Sequence, residues 1–383
     1  MPVSVSSFIP TAGTKEYFLV ATPDDAASFG GRLSSVLDLY AEGMSELNIG
    51  PESAVYLNFY VSDAVRCEKL MRSSGHFAQL AENNSAVSIL ELPPLFSDVA
   101  LFAYHTASET AIAKERISLE DMDAAVTLCT RDSRRHYYLQ GFSSDDSNSI
   151  KEQTKSILDR VASLCKERSL SVGNIIRTWL YIRDMDQNYT GMSETRAEVF
   201  RNWGLDGNSG FPASTGIGGG TANPKALVSL DAIILDGIEN TQLQKMEAPT
   251  HMSPAPAYGV TFERGLKVNY GDRSHLYISG TASIDSVGNV LYPGDLIKQT
   301  RRSLENIRML LEASGSSIND LVYLIVYFRD ADGAKDVDRY LKANLPPHIP
   351  YVLLKGTVCR PEWLIEIEGM AISDEGHPQY KGF

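Results

Sequence analysis

Residues 295–315, DLIKQTRRSLENIRMLLEASG, and residues 320–330, DLVYLIVYFRD, decide the fold of this chain. In the first stretch apolar side chains recur every three or four residues, which predicts an amphipathic helix. Asp295 is placed to cap its N-terminus and Gly315 to end it. The second stretch is hydrophobic from Leu321 to Phe328, as is typical of a strand buried on both faces. The pair predicts a helix packed on a sheet whose other face is also covered.

The same pattern occurs twice more upstream. IKEQTKSILDRVASLCKERS at 150–169 precedes NIIRTWLYIRDMD at 174–186, and GGRLSSVLDLYAEGMSELNIG at 30–50 precedes SAVYLNFYVSDA at 53–64. Each block then continues with a short second helix and a strand pair that starts at proline. A repeat of roughly 110–120 residues is too long for a solenoid unit. We therefore expect an α+β fold of three tandem units that form a pseudo-trimer within one chain.

Polar, weakly periodic segments at 105–123 and 237–257 are interpreted as connectors. The predicted units are 1–110, 120–238 and 250–375. The final stretch, SDEGHPQYKGF, is predicted to be loose. Such an arrangement would place clefts between the units and let each cleft diverge separately.

Composition excludes several classes of function. The chain has 383 residues and a formal net charge of -13, without a basic run that could neutralise phosphates, so nucleic acid is not expected as a partner. No apolar run approaches the ~18 residues that a membrane span needs, and the start, MPVSVSSFIPTAG, does not resemble a signal peptide. The four cysteines are scattered, without metal-ligand spacing. These features predict a cytoplasmic protein without a disulfide framework.

Two motifs of small residues mark places where a ligand could approach the backbone. HLYISGTASID, residues 275–285, ends a strand at Gly280 and continues with Thr281, although a plain strand-to-turn corner would look the same. FPASTGIGGGT, residues 211–221, suits a pocket wall or, alternatively, a mobile glycine-rich loop. It is not a phosphate loop, because no Lys-Ser or Lys-Thr follows it.

A third motif, CRPEWLIEIEGMAI at 359–372, carries paired carboxylates. In a strand Glu366 and Glu368 project to one face. A solvated edge face is one explanation. The apolar flanks Trp363-Leu364 and Met370-Ala371-Ile372 favour partial burial instead, and a buried carboxyl has a raised pKa and can act as a general acid.

These residues resemble the Rid (YjgF-like) family. The third unit is similar to it over nearly its whole length, through SGTASI, QTRRSLENIRMLLEASG, VYLIVYFRD, Pro350 and IEIEGMAI. The second is similar through QTKSILDRVASL, RTWLYIRDM and FPASTGIGG, and the first is a degenerate version. Rid proteins are homotrimers with a cleft between neighbouring subunits. One side of the cleft carries an SGQ-type turn and the first Glu of IEIE. The other side is the strand that follows a proline in the neighbouring subunit. The resemblance implies three Rid-like units.

One Rid feature is missing. The family carries an arginine after that proline, which grips the carboxylate of an imino acid, and the matching positions here hold Val352 and Ser214. Imine deaminase activity is therefore disfavoured. The fused units, FPASTGIGG and CRPEWLIEIEG resemble instead the chorismatases, a branch of the same superfamily that acts on chorismate with a pseudo-trimer in one chain.

This resemblance implies acid catalysis on an enolpyruvyl ether. Glu366 is the implied general acid, and Glu368 is interpreted as structural. Cys359 is either an inert core cysteine or a group that attacks or steers the ring toward 3-hydroxybenzoate. The substrate carboxylates need cations, for which bidentate arginine is best suited. No metal or organic cofactor is implied, because acid catalysis on an enol ether needs neither.

Several residues are candidates for binding the substrate. The arginines would also be explained by surface salt bridges, and the tyrosine by a place in the core. The candidates are Arg360, Arg264, Arg196, Tyr258, Gly280, Thr281, Ser214 and Gly216.

The site is expected between the second and third units, with 214–218 facing Gly280, Thr281 and Glu366. The other two clefts are expected to be filled or to lack an acid, since 99–105 contains no glutamate and 227–233 offers only Asp231. The predicted products are pyruvate and either a dihydroxycyclohexadiene carboxylate or 3-hydroxybenzoate. The alternatives are a Rid-like imine deaminase and a non-enzymatic ligand-binding pseudo-trimer. A monomer is expected, because the trimer is already formed within the chain.

Overall fold

The computed structural model describes residues 3–23, 28–75, 79–80, 82–108, 112–119, 124–131, 133–207, 209–254 and 260–383. Three six-stranded mixed sheets are present in this part of the chain. None of its helices combines the length and the apolar character that a membrane span requires.

The first unit follows the order strand, strand, helix, strand, helix, strand, strand. Its elements are β1 (Val3–Phe8), β2 (Lys15–Ala21), α1 (Phe29–Glu46), β3 (Ala54–Val61), α2 (Ala64–Ser73), β4 (Ala86–Glu91) and β5 (Val99–Ala107).

The second unit repeats this order with two additional strands, one at its start and one before its last strand. Its elements are β6 (Ala113–Ser118), β7 (Ala125–Arg131), β8 (Arg134–Ser143), α3 (Ile150–Glu167), β9 (Ile175–Ile182), α4 (Met185–Asn202), β10 (Ala213–Gly218), β11 (Gly220–Thr221) and β12 (Val228–Asp236).

The third unit also begins with an additional strand. Its elements are β13 (Leu243–Lys245), β14 (Gly265–Asn269), β15 (Ser274–Thr281), α5 (Leu296–Ala313), β16 (Leu321–Phe328), α6 (Ala334–Asn344), β17 (Tyr351–Lys355) and β18 (Ile365–Ser373).

The three sheets share one order of five strands and differ in the edge at which the sixth strand joins. Their strand orders are β1-β2-β5-β3-β4-β11, β6-β7-β8-β12-β9-β10 and β13-β14-β15-β18-β16-β17. In each unit the strand after the first helix is buried along its whole length, as the sequence predicted. One hydrophobic cluster draws residues from all three units, while three further clusters lie between each sheet and its own helices. The α+β pseudo-trimer, with sheets inside and helices outside, is thus confirmed.

The segments interpreted as connectors are partly strands. β6 and β13 lie within them and form the outer edges of the second and third sheets. In β6 exposed side chains alternate with less exposed ones, of which only Ile117 is buried. Because most of its side chains are polar, its hydrophobic pattern did not predict a strand. The unit boundaries at 1–110, 120–238 and 250–375 remain predictions.

The glycine-rich stretch at 218–221 ties the units together. Gly218 N donates to the carbonyl of Thr357 in the third unit at 2.8 Å. β11 pairs antiparallel with β4 of the first unit, through Gly220 and Glu91. A Cβ on Gly218 would lie 2.7 Å from Cβ of Thr357, so only glycine permits this approach. The stretch is therefore a link between units as well as the continuation of a pocket wall.

The prediction that the final stretch is loose is wrong. The Phe383 ring is buried, with ring centroids 4.5 Å from His275 and 5.2 Å from His136. Its carbonyl accepts from Arg131 of the second unit and from Thr14 of the first. The polar composition suggested solvent exposure, but these groups find partners on all three units.

Replacing Phe383 by Ala is expected to lower the melting temperature measured by scanning calorimetry. The change removes an aromatic ring from a packed cluster, which costs roughly 3–5 kcal/mol of unfolding free energy for a buried Phe. Lys381→Ala, at an exposed neighbour, is the control and is expected to leave the melting temperature nearly unchanged. Equal melting temperatures for wild type and Phe383→Ala would contradict a clamping role for this segment.

Candidate functional site

A cavity of about 140 Å³ lies between the second and third units. It contains most of the residues that the sequence analysis selected. The lining residues are Tyr189, Arg196, Ser214, Gly216, Val260, Phe262, Arg264, Gly280, Ala282, Ile284, Gly288, Cys359, Arg360, Trp363 and Glu366.

Regular elements of two units position the polar lining. The second unit contributes Ser214 from strand β10 and Arg196 from helix α4. The third unit contributes Gly280 near the end of β15 and Glu366 near the start of β18. β10 and β15 meet across the boundary, where Ser214 N donates to Oγ of Ser279 at 2.9 Å. The site thus depends on the packing of two units.

Glu366 is the acid of the cavity. It is 5% exposed, and burial raises the pKa of its carboxyl to about 8, with the Glu368 charge raising it further and Arg177 and Arg264 opposing the shift. A Cβ at Gly280 would lie 2.0 Å from Oε1 of Glu366, so a glycine there leaves room for the carboxyl. At neutral pH the carboxyl therefore holds a proton that it can donate into the cavity.

Glu368 is buried in a different way. Its carboxylate accepts hydrogen bonds from Arg177 at 2.7 Å, the Trp179 indole at 2.8 Å and the Tyr327 hydroxyl at 3.0 Å. The explanation of the two glutamates as a solvated edge face is wrong, because β18 lies in the interior of its sheet, between β15 and β16. The two carboxyls have separate environments, one fully bonded and one facing the cavity.

Arg196 supplies a buried positive charge. It is 3% exposed, and its guanidinium donates to Oγ1 of Thr261 at 3.0 Å and to Oγ of Ser214 at 3.4 Å. Among the described residues it forms no ion pair with a carboxylate. Burial lowers its pKa, and tyrosine and cysteine neighbours favour the charged form, so it stays a cation at neutral pH. A buried guanidinium bonded only to neutral hydroxyls is suited to an anionic ligand.

Two further arginines line the same cavity. Arg264 donates to the carbonyl of Ser253 at 3.1 Å, and its Cζ lies 5.7 Å from the Phe262 ring centroid. Arg360 is exposed at the mouth, with its Cζ 4.8 Å from the Trp363 ring centroid. The cavity therefore combines one acid with three cations.

Cys359 lies beside the acid. Burial raises the pKa of its thiol to about 12, and the Glu366 charge raises it further, so the thiol is neutral at physiological pH. The Tyr189 hydroxyl shares a hydrogen bond with it, and burial raises the pKa of Tyr189 as well. A neutral thiol next to a phenol is better suited to hydrogen bonding or proton donation than to direct attack as a thiolate.

One predicted residue, Thr281, is not part of the lining. Thr281 is buried, and its hydroxyl donates to the carbonyl of Ser279 at 2.9 Å, inside the third unit. Tyr258 lies outside the described residues.

The other two clefts are open, which contradicts the expectation that they are filled or lack an acid. The cleft between the first and third units has a volume of about 410 Å³ and contains Asp338, and the cleft between the first and second has about 270 Å³ and contains Glu68, Asp145 and Asp146. The acids in these clefts lie on helices and loops. The expectation of no acid was based only on the strands equivalent to β18. Sequence alone could not give the volume left between units.

The register of the strands identifies the positions in the first and second units that are equivalent to Glu366, and neither holds an acid. Tyr327, Tyr181 and Tyr60 occupy matching places in YFRD, YIRD and YVSD, and their partners on the neighbouring strand are Glu366, Ser229 and Ala100. Two residues further on, the equivalents of Glu368 are Asp231 and Phe102. Only the third unit has a carboxyl at the position that faces a cavity.

Sequence reasoning missed four residues that shape the site. Tyr189, Phe262 and Trp363 line the cavity but lie in segments whose hydrophobicity is explained equally well by a core. Arg177 carried a signal: it is a charged residue in the middle of the otherwise uncharged strand β9, and such a residue requires a buried partner. In the described part of the chain no group of His, Cys, Asp and Glu side chains could hold a metal ion.

Known families and proteins resemble this chain over its third unit or over a longer stretch. The family model described as Endoribonuclease L-PSP matches residues 261–373, which cover the third unit from β14 to β18 but not β13. A RutC family protein of Pyrococcus horikoshii is 35% identical over 100 residues, which are 26% of this chain and 79% of the relative.

Two relatives from Streptomyces hygroscopicus match a longer stretch. A 3-hydroxybenzoate synthase is 28% identical over 246 residues, covering 58% of this chain and 69% of the relative. A chorismatase is 28% identical over 223 residues, covering 53% of this chain and 63% of the relative. A solved chorismatase structure has a TM-score of 0.65 and 17% identity, covering 94% of this chain and 99% of that one, and so has the same fold.

Proposed function

The chain belongs to the chorismatase branch of the Rid superfamily and is an enzyme, and we propose that it cleaves the enolpyruvyl ether of chorismate to release pyruvate. The observation that carries this proposal is the buried carboxyl of Glu366, which faces a cavity whose other charged groups, among the described lining residues, are arginines, and burial raises its pKa. This combination suits an acid-labile ether that carries carboxylates.

Ether cleavage begins with a proton. Glu366 donates its proton to the terminal vinyl carbon of the enolpyruvyl group, and the adjacent carbon becomes an oxocarbenium ion. Water adds to this carbon, and the resulting hemiketal collapses to pyruvate and the ring alcohol. This step consumes one water molecule and leaves a dihydroxycyclohexadiene carboxylate. The Glu366 carboxylate regains a proton from the water that was added.

Arginines orient the substrate for this transfer. Chorismate has two carboxylates, and Arg196, buried without a carboxylate partner in the described structure, is the site for one of them. Arg264 and Arg360 are placed for the second. Binding at both ends fixes the vinyl carbon next to the acid, which converts proton transfer into an effectively intramolecular step.

We infer that the ring product is 3-hydroxybenzoate. The dihydroxy ring becomes aromatic when it loses the C4 hydroxyl and the C3 hydrogen as water, so the whole conversion consumes no net water. The neutral Cys359 thiol, paired with Tyr189, can donate a hydrogen bond to the leaving hydroxyl. The name of the more extensively matching relative, a 3-hydroxybenzoate synthase, supports the same product.

The test is incubation of the purified protein with chorismate, following pyruvate with lactate dehydrogenase and the ring product by chromatography. We expect stoichiometric pyruvate and 3-hydroxybenzoate. A parallel incubation with an imine of an amino acid, following ammonia, reports the imine deaminase alternative. Binding of chorismate without release of pyruvate would instead favour a ligand-binding protein. Ammonia release from the imine, or binding of chorismate without pyruvate release, would reject the proposal.

Replacing Cys359 by Ala is expected to switch the ring product while pyruvate release continues. Without the thiol the dihydroxy ring leaves the cavity before it loses water, so the dihydroxycyclohexadiene carboxylate accumulates. Chromatography of the products measures the ratio. Cys165→Ala, at a cysteine packed in the core of the second unit, is the control and should keep the wild-type ratio. An unchanged ratio in Cys359→Ala would return this residue to the role of a core cysteine.

A further inference from the structure

A buried ion pair joins the second and third units directly behind the acid. Nη2 of Arg177 lies 2.7 Å from Oε2 of Glu368, and both side chains are almost fully buried. The Arg177 guanidinium also lies over the Trp179 ring, with 4.4 Å between Cζ and the ring centroid. Trp179 and Tyr327 complete the hydrogen bonds of the carboxylate. A charge pair at this depth is costly to desolvate, so stability alone does not account for its presence.

The same guanidinium reaches the cavity wall through one hydroxyl. Nη2 of Arg177 donates to Oγ1 of Thr215 at 2.7 Å, and the same Oγ1 accepts from Gly280 N at 3.0 Å. Gly280 is the residue against which the Glu366 carboxyl packs. Arg177 is thus connected to Glu366 in two ways. One runs through Glu368, which is on the same strand as Glu366, and the other runs through Thr215 and Gly280.

We propose that Arg177, Glu368 and Thr215 form a positioning network for Glu366, in which the ion pair sets the electrostatic field at the acid and the hydroxyl fixes the backbone beside it. The network deepens the proposed function and rests on it for its kinetic effects. None of its three members lines the cavity, so each acts through Glu366 or Gly280 and not on the substrate.

The two charges of the pair act on Glu366 in opposite directions. The negative Glu368 raises the pKa of Glu366, and the positive Arg177 lowers it. Among the described residues, the other titratable or charged groups that line the cavity with Glu366 are Arg264, Cys359, Tyr189, Arg196 and Arg360. Replacing either Glu368 or Arg177 also leaves the charge of the other residue without its counter-charge. The two single variants should therefore shift the titration midpoint of Glu366 in opposite directions.

The titration of Glu366 can be followed without substrate, by NMR of protein labelled with ¹³C at the glutamate carboxyls, with Glu366→Gln used to assign the signal. We expect the midpoint to fall by about 1 pH unit or more in Glu368→Gln and to rise in Arg177→Met. Asp231→Asn is the matched control, because Asp231 is buried at the equivalent register position of the second unit and should leave the midpoint unchanged. Midpoints that stay at the wild-type value, or move in the same direction in both variants, would overturn the electrostatic role.

A milder pair of variants tests the hydroxyl and covers the case in which a charge variant does not fold. Thr215→Val keeps the shape but removes the acceptor for Arg177 and Gly280, and Thr215→Ser restores it. We expect Thr215→Val to lower kcat for pyruvate release about tenfold with an unchanged KM, and Thr215→Ser to recover it. Wild-type kcat in Thr215→Val, or no recovery in Thr215→Ser, would overturn the positioning role.

Because the NMR titration needs no substrate, a failure of the chorismate assay is recognised separately from a failure of the network.

Discussion

Glu366→Gln is expected to reduce kcat for pyruvate release from chorismate by about 10²-fold or more, the usual contribution of a general acid. Glutamine keeps the size and shape of the side chain beside Gly280 but has no proton to give to the vinyl carbon.

The kcat/KM of the wild-type enzyme should also depend on pH and should decrease as pH rises. The acid must be protonated, and its pKa is raised to about 8, so kcat/KM should be steady below this value and fall as pH rises through it. Stopped assays of pyruvate across the pH range measure both effects.

Glu375→Gln provides the matched control for this substitution. Glu375 is exposed and pairs with Lys267 at 2.9 Å, away from the cavity, so the same chemical change should leave kcat within about twofold. Undiminished pyruvate release by Glu366→Gln, with the same pH profile as wild type, would show that another group is the acid. The family assignment would stand in that case, because it rests on the fold and the relatives.

Arg196→Gln is expected to raise KM for chorismate by roughly 10- to 100-fold, since a hydrogen bond to a charged group is worth about 1.5–3 kcal/mol. The guanidinium is buried, and within the described ranges its hydrogen bonds go to the hydroxyls of Thr261 and Ser214 and not to a carboxylate, so an anionic ligand is suited as its counter-charge. A chorismate ester that lacks one carboxylate sharpens the measurement. If Arg196 binds that carboxylate, wild type should discriminate between ester and acid, and the variant should do so much less.

Arg201→Gln lies on the same helix, α4, with an exposed side chain, and it controls for a general effect of removing a positive charge. Its KM is expected to match wild type. An Arg196→Gln enzyme with unchanged KM and unchanged discrimination would assign the carboxylates to Arg264 and Arg360 alone.

The repeated helix and strand carried most of the fold. An amphipathic helix that ends at Gly315 and a strand that is apolar on both faces leave few arrangements other than a helix outside and a neighbouring sheet inside. The site was predictable to the extent that it rests on local motifs. Glu366, Ser214 and Gly280 meet because each lies near the end of a strand whose place the repeat fixes, and Cys359 joins them from the segment between β17 and β18.

What escaped prediction depends on contacts between distant residues. Phe383 looked like part of a polar tail, yet its ring and carbonyl are held by groups from three units. The width of the two other clefts depends on how loops pack, which no periodicity reports. Arg177 needed a partner 191 positions away in sequence, and its charge in an apolar strand signalled a partner without identifying Glu368.

The covalent continuity of the two units that form the cavity has a consequence for how the enzyme responds to dilution. In a homotrimer the two walls of a cleft belong to different molecules, so lowering the protein concentration below the dissociation constant removes the site. Here Ser214 and Glu366 are on one chain, and their effective concentration is set by the fold, not by the amount of protein. Specific activity should therefore stay constant as the enzyme is diluted to the lowest concentration at which pyruvate can be detected.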